Sequence, residues 1–262
     1  MEHPVFLEIF KEMPQGAPGD DRSSEKAFSY LKDLPEKPDI LDVGCGTGRH
    51  TLLLSRLTKG RITALDLLEQ NIKILNNKIE TDKLGNRIRA VRGDMNRMPF
   101  KREQFNLIWA EGSIYAIGFG KGLQKWKKFI RADGYLVASE VVWVRDEPPF
   151  DLKAFWDSEY PGMLTHKEAL NIAKKEGYKI TGSFPVSPEG WKNYYGPLEK
   201  RINEMRDTCK NDEEAYSILE SIDREIMIYK NYKEYFEYMI YILQKKEDLY
   251  IRSMCGIRTK IE

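Results

Sequence analysis

Ile40-Leu41-Asp42-Val43-Gly44-Cys45-Gly46-Thr47-Gly48 runs a short apolar strand straight into closely spaced glycines, and Thr47 to Leu57 then continues at helical spacing through Leu52, Leu53, Leu54 and Leu57. Glycines lacking side chains let a ligand lie against the backbone of such a turn. The start of the following helix adds unpaired N–H groups suited to a carboxylate or a phosphate. A dinucleotide fingerprint would read GxGxxG, but here Arg49 stands where the third glycine should be. That spacing counts against NAD. About twenty residues on, a second strand ends in Asp66, where a carboxylate can accept both hydroxyls of a ribose.

The same alternation extends outward along the chain. Strands are predicted at Ile62 to Leu65, Ile88 to Val91, Phe105 to Ala110, Tyr135 to Val144, Tyr178 to Val186 and Tyr235 to Leu243, which with Ile40 to Val43 makes seven. Helices are predicted at Ser24 to Leu34, Leu68 to Leu84, Gly122 to Ile130 and Thr165 to Glu176, the last with a Thr165/Glu168 capping box. Alternating strands and helices imply right-handed βαβ units and a mostly parallel, doubly wound sheet in the α/β class. Leu198 to Tyr229 reads as one or two charged helices inserted before the last strand, with the insertion spanning Pro197 to Lys230 at its narrowest. One domain over 1–262 is expected: an N-terminal segment 1–24, a core of 25–185 and 235–247, a helical insertion 186–234, and a patternless tail 248–262 that is expected to fray.

Composition narrows the classes of function. Forty-two basic and forty-one acidic residues leave a net charge of +1, so no global field gathers nucleic acid or an anionic membrane. No uncharged apolar run approaches the roughly 20 residues that span a bilayer. Met1 to Lys11 lacks the layout of a secretory signal. Cys45, Cys209 and Cys255 are odd in number and widely spaced, which suits neither a disulfide framework nor a metal site. A cytoplasmic protein without a metal is the expectation.

The DVGCGTG run, Asp66 and the Gly93-Asp94-Met95 turn after the third strand fall in register over the first 145 residues or so, and together they resemble the class I S-adenosylmethionine-dependent methyltransferases. The resemblance implies a Rossmann-like sheet. It also implies that Asp42, Gly44, Gly46 and Gly48 lie under the methionine part of the cofactor, that Asp66 holds the ribose, that Asp94 and Met95 meet the adenine, that Cys45 and Leu67 belong to the same cofactor site, and that Glu111 lies against the cofactor where the acceptor side begins. Cys45 in this setting reads as a small filler, since no partner histidine for a nucleophile is evident. Glu111-Gly-Ser-Ile-Tyr-Ala-Ile-Gly118, the run Asp146 to Trp156 and the loop at Gln15 are similar to a small-molecule subgroup of the ubiquinone and menaquinone biosynthesis type. That subgroup implies that Gln15 to Asp20 is a lid, against the alternative of a plain surface loop.

Methyl transfer to a small-molecule acceptor, by in-line displacement that leaves S-adenosylhomocysteine, asks an enzyme mainly for alignment and exclusion of water. Glu111 is the candidate base or acceptor-orienting group, or it only bonds a loop. Glu140 either faces the same pocket or is a buried, paired carboxylate. His50 and His166 read as ordinary polar residues. Tyr115, Trp143, Trp156, Tyr160, Trp191, Tyr194 and Tyr195 follow strands four to six and are candidates for the acceptor wall, with two or three of the seven expected to reach the ligand. The insertion either covers that pocket or contacts a second copy in a homodimer. Three other functions stay open: methylation of RNA or protein, for which Lys121 to Arg131 would touch phosphates, a cofactor-binding protein without turnover, and, least favoured, a nicotinamide dehydrogenase.

Overall fold

The computed structural model describes residues 4–11 and 13–246, so the predicted tail from Asp248, with Cys255, lies outside the described residues. All seven predicted strands form one sheet in the order β3-β2-β1-β4-β5-β7-β6. They are β1 (Asp39–Val43), β2 (Arg61–Asp66), β3 (Ile88–Arg92), β4 (Phe105–Ala110), β5 (Ile130–Trp143), β6 (Tyr178–Pro185) and β7 (Phe236–Lys245). The first five pair in parallel, while β7 runs antiparallel to both β5 and β6. Successive residues of a strand face opposite sides, and the two sides are both apolar here. Leu107 and Trp109 of β4 join one buried cluster, and Ile108 and Ala110 join the other.

Helices cover both sides. One layer holds α2 (Asp21–Ser29), α3 (Arg49–Leu57) and α4 (Glu69–Thr81); the other holds α5 (Phe119–Trp126), which a short 3₁₀ turn follows, and α7 (His166–Lys175). The Thr165/Glu168 capping box at the start of α7 is formed as predicted. The insertion consists of α8 (Pro188–Cys209) and α9 (Glu213–Tyr232), which join the first layer's cluster through Leu198, Ile202, Leu219 and Ile226. It begins nine residues before Pro197, which is carried inside α8.

Several boundaries differ from the prediction. The helix predicted at Ser24 to Leu34 is displaced toward the N-terminus, because Asp20 caps α2: its Oδ1 accepts the Ser23 N–H at 2.9 Å. The helix predicted to run from Gly122 to Ile130 starts earlier, at Phe119, and Ile130 already belongs to β5, where it pairs with Phe105. Two helices were not expected at all, α1 (Pro4–Lys11) and α6 (Phe150–Glu159).

Asp20 does more than cap. Its Oδ2 accepts the Ser23 hydroxyl at 2.6 Å and the Ser187 hydroxyl at 2.8 Å, and the Gly19 N–H donates to the Gly190 carbonyl at 3.1 Å. The buried carboxylate thus ties the N-terminal segment to the first turn of α8. Burial pushes its pKa up, but Ser23, Ser187 and Arg49 outweigh burial and hold it below the usual carboxylate range. Asp20→Ala is expected to cost about 2–3 kcal/mol of stability, and Ser187→Ala about 1 kcal/mol, read from denaturant midpoints. A Ser187→Ala variant as stable as the wild type would show that the bridge to α8 carries no special weight.

Candidate functional site

Strand order reverses between β1 and β4, so the chain leaves these neighbours in opposite directions and a crevice opens beyond their carboxyl ends. The glycine turn after β1 and the segment from Glu111 after β4 form its two lips. Gly44 and Cys45 donate their N–H groups to the Leu65 carbonyl at 2.8 and 3.0 Å, which holds the turn against β2. Gly44 has φ +69°, and a Cβ there would lie 2.4 Å from Cβ of Ser113, whose hydroxyl donates to the Val43 carbonyl at 2.6 Å. No side chain fits between the two lips at that point.

A cavity of about 610 Å³ starts in this crevice. Its floor is the turn itself, from Gly44 to Thr47, with Arg49 and His50 of α3, and its side is Leu68, Gln70, Asn71 and Ile74 at the start of α4. The cavity continues past Glu111, Gly112 and Tyr115 into an apolar half walled by Phe6 and Phe10 of α1, Tyr194 and Leu198 of α8, and Ile218 and Ile222 of α9. The loop from Met13 to Pro18 closes over the junction of the halves, braced by Gln15, whose Nε2 donates to the Ala17 and Gly19 carbonyls, each at 2.9 Å.

Asp66 is the organiser of the polar half. Its Oδ2 accepts the Gly46 N–H at 2.9 Å, and its Oδ1 accepts the Leu68 N–H at 2.9 Å and the Asn71 amide at 3.1 Å. One carboxylate therefore pins both the glycine turn and the first turn of α4. Gly46 itself, at φ +53°, has no atom within 4 Å of where a Cβ would stand. A ligand can lie directly on that backbone, which is the test a nucleoside cofactor sets. α3 also begins without a side-chain cap.

Glu111, 6% exposed, sits where the two halves meet. The Ser24 hydroxyl donates to its Oε1 at 2.8 Å, and His50 Nε2 stands 3.5 Å from its Oε2, which accepts no hydrogen bond from the protein. Burial pushes this carboxyl up, yet His50, Ser24 and Arg49 prevail and keep it below the usual range. The neighbouring Arg49 is held by Asp21 at 2.9 Å. Sequence reasoning passed over Arg49, His50 and Ser24 as site residues. The only local signal was their place in the first turn of helices beside the glycine loop, and their meeting with Glu111 is made by the tertiary fold.

Other sequence-derived candidates land elsewhere. Asp42 is 2% exposed, accepts the Thr51 hydroxyl inside the fold and does not line the cavity; burial pushes it up to about 6. Burial also raises the Cys45 thiol far above its usual range, as suits a filler. Leu67 is 60% exposed outside the cavity, where Leu68 takes its place. Asp94 accepts the Asn96 N–H at 2.7 Å, and the Met95 carbonyl accepts Trp126 Nε1 at 3.0 Å; this turn lies beside the crevice but not on the cavity wall.

Of the seven aromatic candidates, Tyr115 and Tyr194 line the cavity. The other five pack. Trp191 stacks on Tyr229 and Tyr195, Trp156 meets Phe236 edge to face, and Trp143 pairs with Phe236 along β5 and β7. Tyr160 sits near Glu140, which is buried but not paired as expected: neither of its oxygens has a protein partner in hydrogen-bond geometry. His166 bonds the Tyr241 hydroxyl at 3.0 Å, an ordinary polar role. Among the described residues no group of three or more His, Cys, Asp or Glu is placed to hold a metal, and no helix is long and apolar enough to cross a membrane.

Residues 40–134 match a family described as a methyltransferase domain. The methyltransferase GfsG of Streptomyces halstedii is 23% identical over 47% of this chain, and the sterol 24-C-methyltransferase of Kluyveromyces lactis is 29% identical over 60% of it. The chain spans 44% of the length of each of these relatives. Among solved structures, a SAM-dependent methyltransferase from Geobacter sulfurreducens in complex with S-adenosyl-L-homocysteine superposes with a TM-score of 0.79 at 16% identity, covering 94% of this chain and 99% of that one. At that identity the likeness is one of fold.

Proposed function

We propose that this chain, whose residues 40–134 are a methyltransferase domain on the Rossmann-like sheet of the S-adenosylmethionine-dependent enzymes, methylates a small molecule. The observation that carries the reading is a single continuous cavity with a polar, glycine-floored end and an apolar, helix-walled end, joined at Glu111. Two ligands can meet there end to end. Bound at the polar end, S-adenosylmethionine would supply a methyl group already activated on a sulfonium for in-line displacement, so the protein needs to contribute position and dryness more than a strong acid or base.

The chain's own groups fit those duties. Gly44 to Gly48 and Asp66 would hold the amino-acid and ribose portions, and the Asp94-Met95 turn, next to the crevice, would bound the adenine. Glu111, held charged, would orient a positively charged group at the junction. The loop from Gln15 to Asp20 acts as the lid that excludes water, and α8 and α9 form the acceptor wall. A small acceptor is favoured over RNA because the basic run around α5 does not line the cavity and three of its lysines are engaged within the chain: Lys125 donates to Asn96 at 3.1 Å, and the Lys127 and Lys128 ammonium groups lie over Tyr178 and Phe129. Free, buried Cys45 and Cys209 suit a cytoplasmic setting.

Calorimetric titration with S-adenosylmethionine, S-adenosylhomocysteine and NAD in parallel tests the reading. The two adenosyl ligands are expected to bind with dissociation constants on the order of micromolar, and NAD at least about a hundredfold more weakly. Binding of NAD alone would overturn it.

A further inference from the structure

The apolar half of the cavity is not uniformly apolar. Ile218, Ser221, Ile222 and Glu225 present one stripe of α9 to it, so the same helical face that supplies aliphatic walls also supplies a carboxylate. Glu225 Oε1 accepts the Tyr195 hydroxyl at 3.0 Å. Glu159, at the end of α6, lines the same space and lies close enough for the two carboxylates to repel each other. Burial, with Glu159 adding to it, pushes Glu225 up to about 7, as happens to a carboxylate short of cationic company. Tyr194 and Tyr115 offer aromatic surface beside it.

Cationic groups on the cavity wall are engaged or remote from this end. Arg49 is bound by Asp21 at 2.9 Å, and His50 leans on Glu111 at 3.5 Å, both at the glycine end. Lys11 pairs with Glu8 at 3.7 Å and is about half exposed. An anionic head brought into the apolar half would meet Glu159 and Glu225, and among the described lining residues the cations Lys11, Arg49 and His50 each already face an acidic partner. A basic nitrogen would meet two carboxylates and two aromatic rings. Glu111, buried and with one oxygen unpartnered, adds a third negative group at the junction.

We infer that the acceptor is an amine: a molecule with an apolar body, seated among Phe6, Phe10, Leu198 and Ile222, and a basic nitrogen directed to Glu225 and Glu159. The inference rests on the proposed methyltransferase reading and narrows it to a substrate class. Two carboxylates set in an aliphatic wall reward a cation twice, through charge and through the aromatic faces, while the aliphatic wall rewards any chain of matching length equally.

The test is a matched series, octylamine, 1-octanol and octanoate, titrated into the protein saturated with S-adenosylhomocysteine. Octylamine is expected to bind about tenfold or more tighter than octanol, with octanoate weakest. Glu225→Gln is expected to reduce octylamine affinity about fivefold or more and leave octanol nearly unchanged, with retained S-adenosylhomocysteine binding as the control for folding. Octanoate binding as tightly as octylamine, or an amine preference that survives in the Glu159→Gln/Glu225→Gln double variant, overturns the assignment. Should S-adenosylhomocysteine itself fail to bind the wild-type protein, the methyltransferase reading falls separately. The same three titrations on the free protein then still decide the amine assignment.

Discussion

Asp66→Ala is expected to lower S-adenosylhomocysteine affinity at least about tenfold while leaving the protein folded, since one lost hydrogen bond to a charged group is worth about 1.5–3 kcal/mol. The carboxylate acts at two levels. It accepts the Gly46 N–H and so fixes the glycine turn, and it accepts the Leu68 N–H and the Asn71 amide and so fixes how α4 starts. A carboxylate has about four acceptor positions, which leaves capacity for a ribose hydroxyl beyond these three donors. Asp66→Asn separates the two levels. The amide keeps the shape and one acceptor oxygen, but it sets either its NH₂ against the Gly46 N–H or that NH₂ against the Leu68 and Asn71 donors. Calorimetry on both variants checks the idea, and an alanine variant within about fivefold of wild type would remove Asp66 from the cofactor site.

Much of this is legible in the sequence because the decisive signals are local. A parallel strand buried on both faces is a run of apolar residues, and Ile40 to Val43 or Phe105 to Ala110 can hardly be read otherwise. The glycine turn and Asp66 lie within one βαβ unit, so their meeting follows from chain order. The two missed helices had weak local signals. In α6, Leu152, Phe155 and Trp156 do make a buried stripe, but Pro148 and Pro149 precede it and Phe150, 88% exposed, breaks the pattern. In α1 only eight residues are helical, with Val5 and Ile9 buried.

The site was legible in proportion to its locality. Ser24 reaches Glu111 across 87 positions of sequence, and His50 comes from another element again. Which aromatics face the acceptor depends on how α8 turns against α9. Trp191 and Tyr195 are drawn into a stack with Tyr229, so Tyr194, between them in spacing, is left to the cavity. Nothing in the order of residues fixes that rotation. It is set by the packing of two helices, and the Glu225 that follows from it was invisible for the same reason.

Glu140→Gln is expected to stabilise the protein at pH 8 by about 3 kcal/mol and to have little effect at pH 5 or below. Glu140 lies in β5, 1% exposed, with neither oxygen hydrogen-bonded to the protein. Burial pushes its pKa from 4.5 to about 7, and the nearby Tyr160 hydroxyl and Val141 N–H oppose burial without cancelling it. The folded chain therefore binds this proton more tightly than the unfolded chain. Its contribution is fully present below the unfolded value and is lost as the pH rises through the folded one, between about 4.5 and 7. A glutamine is neutral throughout and removes that loss. Asp42 and Glu225, raised to about 6 and about 7, push in the same direction and remain in the variant, so a shallower slope persists. Thermal melts at pH 5, 6, 7 and 8 should show wild type and variant coinciding at the acid end and separating by about 5 °C or more at the alkaline end. A separation that is the same at every pH would mean that Glu140 is not the group that titrates.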